Sequence, residues 1–367
     1  MTFVAVGTAL VGGALFVLGL VLPFIAARLD REREPERDDR AIERHSTIEV
    51  VIAAYLEASV IGAAVERLRR QLTAWDGGAT VTVVASDDAT ADAAEAAGAH
   101  VLRTLPQGKA IAVNTGVRLS TADIVLLTDA NCAFVPDGWP ILLAEALKSG
   151  DLISARKRET GSRESAFWRY EDAVKRSGAD HKPTMSVVGE FLAFRREDFE
   201  PIPPACLVDD IWIAKSFAMR GLRVRIASGI ATTEAPAEGK DQWERRIRIA
   251  AGLWVEAVPE WRALMRIPAG RQFLAHKLYR LTIGAAGFWL AVVATAVAFR
   301  PWGLLVVPAL IAAAALYYTR GRGGVLTPLA TLVTLQIVPI LALVRARTVK
   351  RNRRAGVVSL GWKKIAR

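Results

Sequence analysis

Three places in this 367-residue chain set carboxylates where they could do chemistry. Asp87 closes the apolar run VTVVAS, and Asp129 closes DIVLLTD with Asn131 two residues further on. Oxygen donors of this kind suit Mg2+ or Mn2+, with substrate phosphates completing the shell. Either aspartate alone reads as a cap on the helix that follows, a common role in such loops. Together, at adjacent strand ends, they favour a nucleotide–metal site. Asp209 and Asp210, in LVDDIWIAKSFAMRG, open an amphipathic segment. A helix N-terminus favours carboxylates in any case, yet one partly desolvated member of the pair could serve as a general base. In KDQWERRIRIAAGLW (240–254), Gln242, Arg245 and Arg246 lie three to four residues apart. On a helix they share a face and could converge on one anionic group.

Other chemistries are poorly served. No GxGxxG follows the first strand and no GxxxxGK[ST] loop occurs, so dinucleotide and P-loop readings fall away. Cys132 and Cys206 give neither a disulfide framework nor metal-ligand spacing, and the four histidines are scattered.

The elements that must position these residues follow from the hydrophobic pattern. Between residues 47 and 250, runs such as IEVVIAAY, VTVVAS, HVLRT and DIVLLTD alternate with helical stretches such as SVIGAAVERLRRQLTAW and KAIAVNTGVRLS. That alternation predicts a parallel sheet with crossover helices, a Rossmann-like α/β domain. Ligands of such sheets sit beyond the carboxyl ends of the strands, where Glu57, Asp87 and Asp129 fall.

Hydrophobic residues make up 52% of the chain, and the excess lies at its ends. Residues 3–27 carry no charge, and roughly 20 apolar residues cross a bilayer. Without a basic start, that segment reads as a retained anchor within 1–27 and not as a signal peptide. A mixed-charge linker (28–46), interface helices (251–280), apolar blocks within 281–344 and a basic tail (345–367) complete the plan. The domain is thus expected between transmembrane helices of a multi-pass plasma-membrane protein, on the cytoplasmic side. The tail, with Arg345, Arg347, Lys350, Arg351, Arg353 and Arg354, fits the positive-inside bias and anionic headgroups, with nucleic acid disfavoured beside apolar spans. Three full crossings after the domain would put that tail outside, so one C-terminal block, broken by Pro308, Pro328 or Pro339, is expected to be partial. Arg248 and Trp254 are expected on a membrane-facing helix.

The motifs and their order resemble the family 2 glycosyltransferases, in particular the membrane-bound cellulose, hyaluronan and poly-N-acetylglucosamine synthases. VVIAAYLEA resembles the opening strand motif, with Glu57 near the nucleotide base, and VASDDATAD the segment holding Asp87 on the nucleotide and Asp92 on the next turn. QGKAIAVNTG supplies Gly108, Lys109 and Asn114, and TDANCAF stands at the metal-binding D-x-D motif with Asp129 and Asn131. VVGEFLAFRRE resembles the acceptor-side strand, with Gly189, Phe194 and Arg195. VDD matches the motif of the base, with Asp209 on the acceptor side and Asp210 as base. QWERR resembles Gln-x-x-Arg-Trp, giving Gln242, Arg245 and Arg246 to the donor.

The resemblance implies a GT-A fold, a divalent metal (Mg2+ or Mn2+), a nucleotide-sugar donor such as a UDP-sugar, and inversion at the anomeric carbon. It implies transfer to a growing envelope polysaccharide. Single-sugar transfer to a lipid or small glycan acceptor is the alternative, and a non-catalytic sensor or transporter a further one. Three positions depart from the family pattern: Leu56 for asparagine, Asn131 for the second carboxylate, and Arg246 for the tryptophan that stacks on the acceptor in processive synthases.

Overall fold

The computed structural model describes residues 2–29, 46–158, 170–171, 173–174, 184–234, 239–319 and 327–354. After α1 (Thr2–Leu29) come β1 (Ile48–Ala54), α2 (Ala58–Leu72), β2 (Ala79–Ala85), α3 (Asp88–Ala96), β3 (His100–Arg103), α4 (Lys109–Leu119) and β4 (Ile124–Thr128). These strands pair in parallel, β1 lying between β2 and β4, with β3 outside β2. The expected βα alternation is present, but Asp87 and Asp129 stand at the ends of β2 and β4, which flank β1, and not at adjacent strand ends.

The second half of the sheet departs from the all-parallel expectation. β5 (Cys132–Val135), α5 (Trp139–Ala146), β6 (Leu152–Arg158), β7 (Leu192–Arg195), α6 (Asp209–Met219) and β8 (Val224–Glu234) follow. The eight-stranded order is β3-β2-β1-β4-β7-β6-β8-β5. β7 runs antiparallel to β4 and β6, and β5 antiparallel to β8, while β6 and β8 are parallel. β5 starts only four residues after β4 ends. A parallel return would need a crossover of a dozen or more residues, so β5 joins the far edge instead.

Period-two alternation sends successive β1 side chains to opposite faces. Ile52 joins Ile61, Val83, Leu126, Phe134 and Trp139 in one buried layer. Val51 joins Val84, Val113, Leu127, Phe194 and Phe217 in the other. Each large side chain so buried contributes about 1.5–3 kcal/mol.

Beyond the sheet, α7 (Gly239–Gly252) leads through helical turns at residues 253–284 into α8 (Ala285–Ala298), α9 (Trp302–Thr319), α10 (Thr327–Leu335) and α11 (Val338–Arg354). α1 lies along α8 with backbones in contact. A Cβ on Gly12 would stand 2.6 Å from the Gly287 carbonyl oxygen. Such close approach is the small-residue packing of apolar helices. Among the described residues, three helices are long and apolar enough to cross a membrane: Phe3–Arg28, Pro268–Ala298 and Thr331–Arg353. Within α9, residues Trp302–Ala313 form a further, shorter apolar helical stretch among the described residues.

Candidate active site

At the end of β1 the chain turns through Leu56, whose φ is +57°. Its N–H donates to Asp87 Oδ2 at 2.6 Å, and Glu57 N–H donates to Thr90 Oγ1 at 2.9 Å. Asp87 Oδ1 accepts from Thr90 N–H at 3.0 Å, capping α3. Asp87 is therefore a cap and also the tie between the β1 and β2 ends. Asp92 lies on the surface, paired with Arg103 at 2.7 Å.

Lys109 opens α4 and joins two of the predicted carboxylates. Its Nζ lies 2.8 Å from Asp129 Oδ1 and 3.0 Å from Asp209 Oδ2. Burial opposes its charged form, yet Asp129 and Asp209 together raise its pKa above the usual lysine value. Asp209 is correspondingly lowered: burial works against the charge and Lys109 overrides it. Asn114 has a structural job, bonding both the N–H and the carbonyl of Ile202 at 2.8 Å.

Asp210 begins α6 beside Gly189. A Cβ on Gly189 would stand 3.3 Å from Asp210 Cβ, so the glycine gives this carboxylate its space. Asp210 Oδ1 accepts from Ile211 N–H at 2.7 Å. Burial, then the neighbouring charge of Asp209, push its pKa up to about 6. One carboxylate of the pair is thus held ionised while the other titrates near neutrality, the division that suits a general base.

Behind these residues is a charged cluster that the sequence alone does not reveal. Glu190 Oε1 meets Lys157 Nζ at 2.7 Å and Arg245 Nη2 at 3.2 Å. Glu234 Oε1 meets Arg245 Nη1 at 2.7 Å and Lys157 Nζ at 3.2 Å. Burial opposes ionisation of Glu190, but Lys157 and Arg245 hold it well below the ordinary carboxylate range. Thr128, just before Asp129, donates to the Glu190 carbonyl at 2.8 Å, which fixes the cluster to the β4 end.

Arg245 therefore sits at the site, held by two carboxylates. Arg246 is half-buried on the same helix; Gln242 belongs to α7, but its side chain lies outside the described residues. Arg248 is a correction to the sequence reading. It is not a membrane-facing residue: its Nη1 donates to the Leu207 carbonyl at 3.0 Å, just ahead of Asp209. Its i, i+3 spacing from Arg245 was the available signal. Trp254 packs against the cluster formed by α7 and α11.

Asp129 and Asn131, both partly exposed, offer oxygen donors just beyond the carboxyl end of β4. Among the described residues, no group of three or more His, Cys, Asp or Glu gathers as a ready-made metal cage. Two protein oxygens at an open edge fit a cation whose shell is completed by ligand phosphates.

Residues 49–202 match the family described as Glycosyl transferase family 2. That segment, under half of the chain, is similar to a family 2 glycosyltransferase domain. The match stops short of Asp209, Asp210 and α7, which lie beyond it. Among solved structures, the mannosyltransferase PcManGT from Pyrobaculum calidifontis, in complex with GDP-Man and Mn2+, is 23% identical. It superposes with a TM-score of 0.68, covering 94% of this chain and 98% of its own, so the fold is shared across the sheet and the flanking helices. Glucosyl-3-phosphoglycerate synthase from Mycobacterium tuberculosis, in complex with Mn2+, UDP-Glc and phosphoglyceric acid, is 19% identical. Its TM-score is 0.37, over 57% of this chain and 79% of its own. Mannosyl-3-phosphoglycerate synthase from Rubrobacter xylanophilus is 15% identical, with a TM-score of 0.40 over 57% and 73%. No curated protein matches the chain.

Proposed function

We propose that this glycosyltransferase is membrane-bound and inverting, moving a hexose or N-acetylhexosamine from a nucleotide-sugar donor to a glycan or lipid-linked acceptor of the cell envelope. The observation that carries this reading is the contrast within one cluster: Asp210 raised to about 6 against Gly189, beside a Lys109 that ties Asp129 to Asp209.

Asp210 takes the proton of the acceptor hydroxyl as its oxygen bonds to the anomeric carbon. The bond from that carbon to the diphosphate oxygen breaks on the opposite face, and the diphosphate leaves with the electron pair. Glu57 and Asp87 hold the nucleoside end. Lys109 and Arg245, with Gln242 and Arg246 from the same helix, face the growing negative charge of the diphosphate. Asp129 and Asn131 would hold a divalent metal, Mg2+ or the Mn2+ of the PcManGT complex, which would supply Lewis-acid neutralisation of that leaving group. Asp209 and Gly189 border the acceptor.

Three apolar helices support a multi-pass protein of the plasma membrane, with the domain on the cytoplasmic side where nucleotide sugars are made. Arg246, standing where the resembling polymer synthases have an acceptor-stacking tryptophan, favours a single transfer to a lipid-held acceptor over long-chain synthesis. The test is nucleoside diphosphate release from a panel of UDP-, GDP- and dTDP-sugars. Turnover is expected with at least one donor and is lost by about 10²–10⁴-fold in Asp210→Asn, with nucleotide binding retained. Turnover surviving in that variant rejects Asp210 as base, and products longer than one added sugar reject the single-transfer reading.

A further inference from the structure

The end of the chain's last described helix reaches back to the segment that launches the candidate base. α11 lies along α7, burying Val338, Ala342, Ala346 and Val349 against Ala250, Ala251 and Val255. Spacings of four, four and three residues keep one face of α11 on its neighbour. At the end of that face, Arg353 Nη2 donates to the Ala205 carbonyl at 2.5 Å and to Glu256 Oε1 at 2.6 Å. The same carboxylate oxygen accepts from Leu207 N–H at 3.4 Å. Residues 205–208 have no helix or strand of their own and run straight into Asp209 and Asp210.

We infer that Arg353 is a positioning residue for the Asp209–Asp210 pair, acting through the Ala205 carbonyl and Glu256. This rests on Asp210 being the base proposed above. The Glu256 side chain is 4% exposed, and a carboxylate so buried needs a paired cation. Arg353 meets that need and, with the same nitrogen, pins the loop. Without it the loop keeps the Arg248 bond to Leu207 but loses its hold two residues earlier. Misplacing a catalytic group by about 1 Å can slow chemistry about 100-fold. Arg351 shares the helix but is exposed, so it serves as the charge-matched control.

The experiment measures nucleoside diphosphate release by the full-length protein in membranes, using a donor from the panel above that wild type turns over, with Asp210→Asn as background. Arg353→Gln is expected to lower kcat at least about tenfold with donor KM nearly unchanged, as base misplacement requires. Arg353→Lys, which keeps a cation for Glu256, should fall between Gln and wild type, and Arg351→Gln should match wild type. Wild-type kcat in Arg353→Gln, or an equal loss in Arg351→Gln, overturns the inference. If Arg353→Gln fails to fold, Arg353→Lys decides alone, and wild-type kcat there overturns it too. Wild type no faster than Asp210→Asn would instead mean that the underlying reading of Asp210 has failed.

Discussion

Asp210 is the residue whose chemistry is most exposed to pH. Its carboxyl titrates at about 6 in the fold against an ordinary 3.8, through burial and then Asp209. As a base it works only ionised, so kcat/KM is expected to rise through an acid limb near pH 6, measured with donor limiting. The stability consequence has the opposite sign. Between those two values the folded protein keeps a proton that the unfolded chain has released. The stability this gives is present below the unfolded value and lost as pH rises through about 6. Asp210→Asn should therefore melt a few degrees above wild type at pH 7.5 and close to it at pH 4, while inactive. Leu56 makes a second case. Its φ of +57° lies in the left-handed region, which costs a side chain with a Cβ about 1–2 kcal/mol where Asn is better tolerated. Leu56→Asn should stabilise by roughly 0.5–1 kcal/mol in chemical unfolding. The substitution was legible in the sequence, but its conformational meaning was not, because only the fold reveals the sign of φ. Likewise Asp87, Asp129 and Asp210 could be picked out because each sits beside an apolar run. Lys157, Glu190 and Glu234 could not, because Lys157 and Glu190, 33 residues apart, and Lys157 and Glu234, farther still, meet only through strand order.

At the scale of elements, the proposed base is packed by helices outside the region that matches the family model. Gly252 in α7 lies against the loop before α6, and a Cβ there would stand 2.2 Å from Val208 Cγ2. In an exposed helix, Gly→Ala gains about 0.5–1 kcal/mol. Here Gly252→Ala must push Val208 and the start of α6, so kcat should fall, and Val208→Ala in the same chain should restore part of it. Wild-type kcat for Gly252→Ala would show that the loop yields without moving Asp210. The parallel half of the sheet was readable because β1, β2 and β3 are each followed by a helical stretch. The antiparallel half was not, since β5 and β7 have four residues each and show no period to read.

For the whole molecule, the placement of α11 bears on the orientation problem raised by the basic tail. Arg353 touches Ala205 and Glu256, so the end of that helix lies with the catalytic domain. A reporter fused after Arg367 is accordingly expected to read cytoplasmic, on the same side as one inserted within the domain; an external signal would contradict that placement. The apolar blocks were plain in composition. Which of them cross was not, because length and hydropathy say nothing of the α7 face against which α11 packs.

The contact between Arg353 and Ala205 also has a consequence in time. Chains are made from the N-terminus, and domains begin to fold as they emerge. The sheet, Asp129 and Asp210 are all synthesised well over a hundred residues before Arg353. A half-made chain can then fold its nucleotide-binding half yet hold its base loop unsecured. If Asp210 is the base, sugar transfer would reach its full rate only once the final helix has been delivered, so an enzyme still being inserted would spend donor slowly.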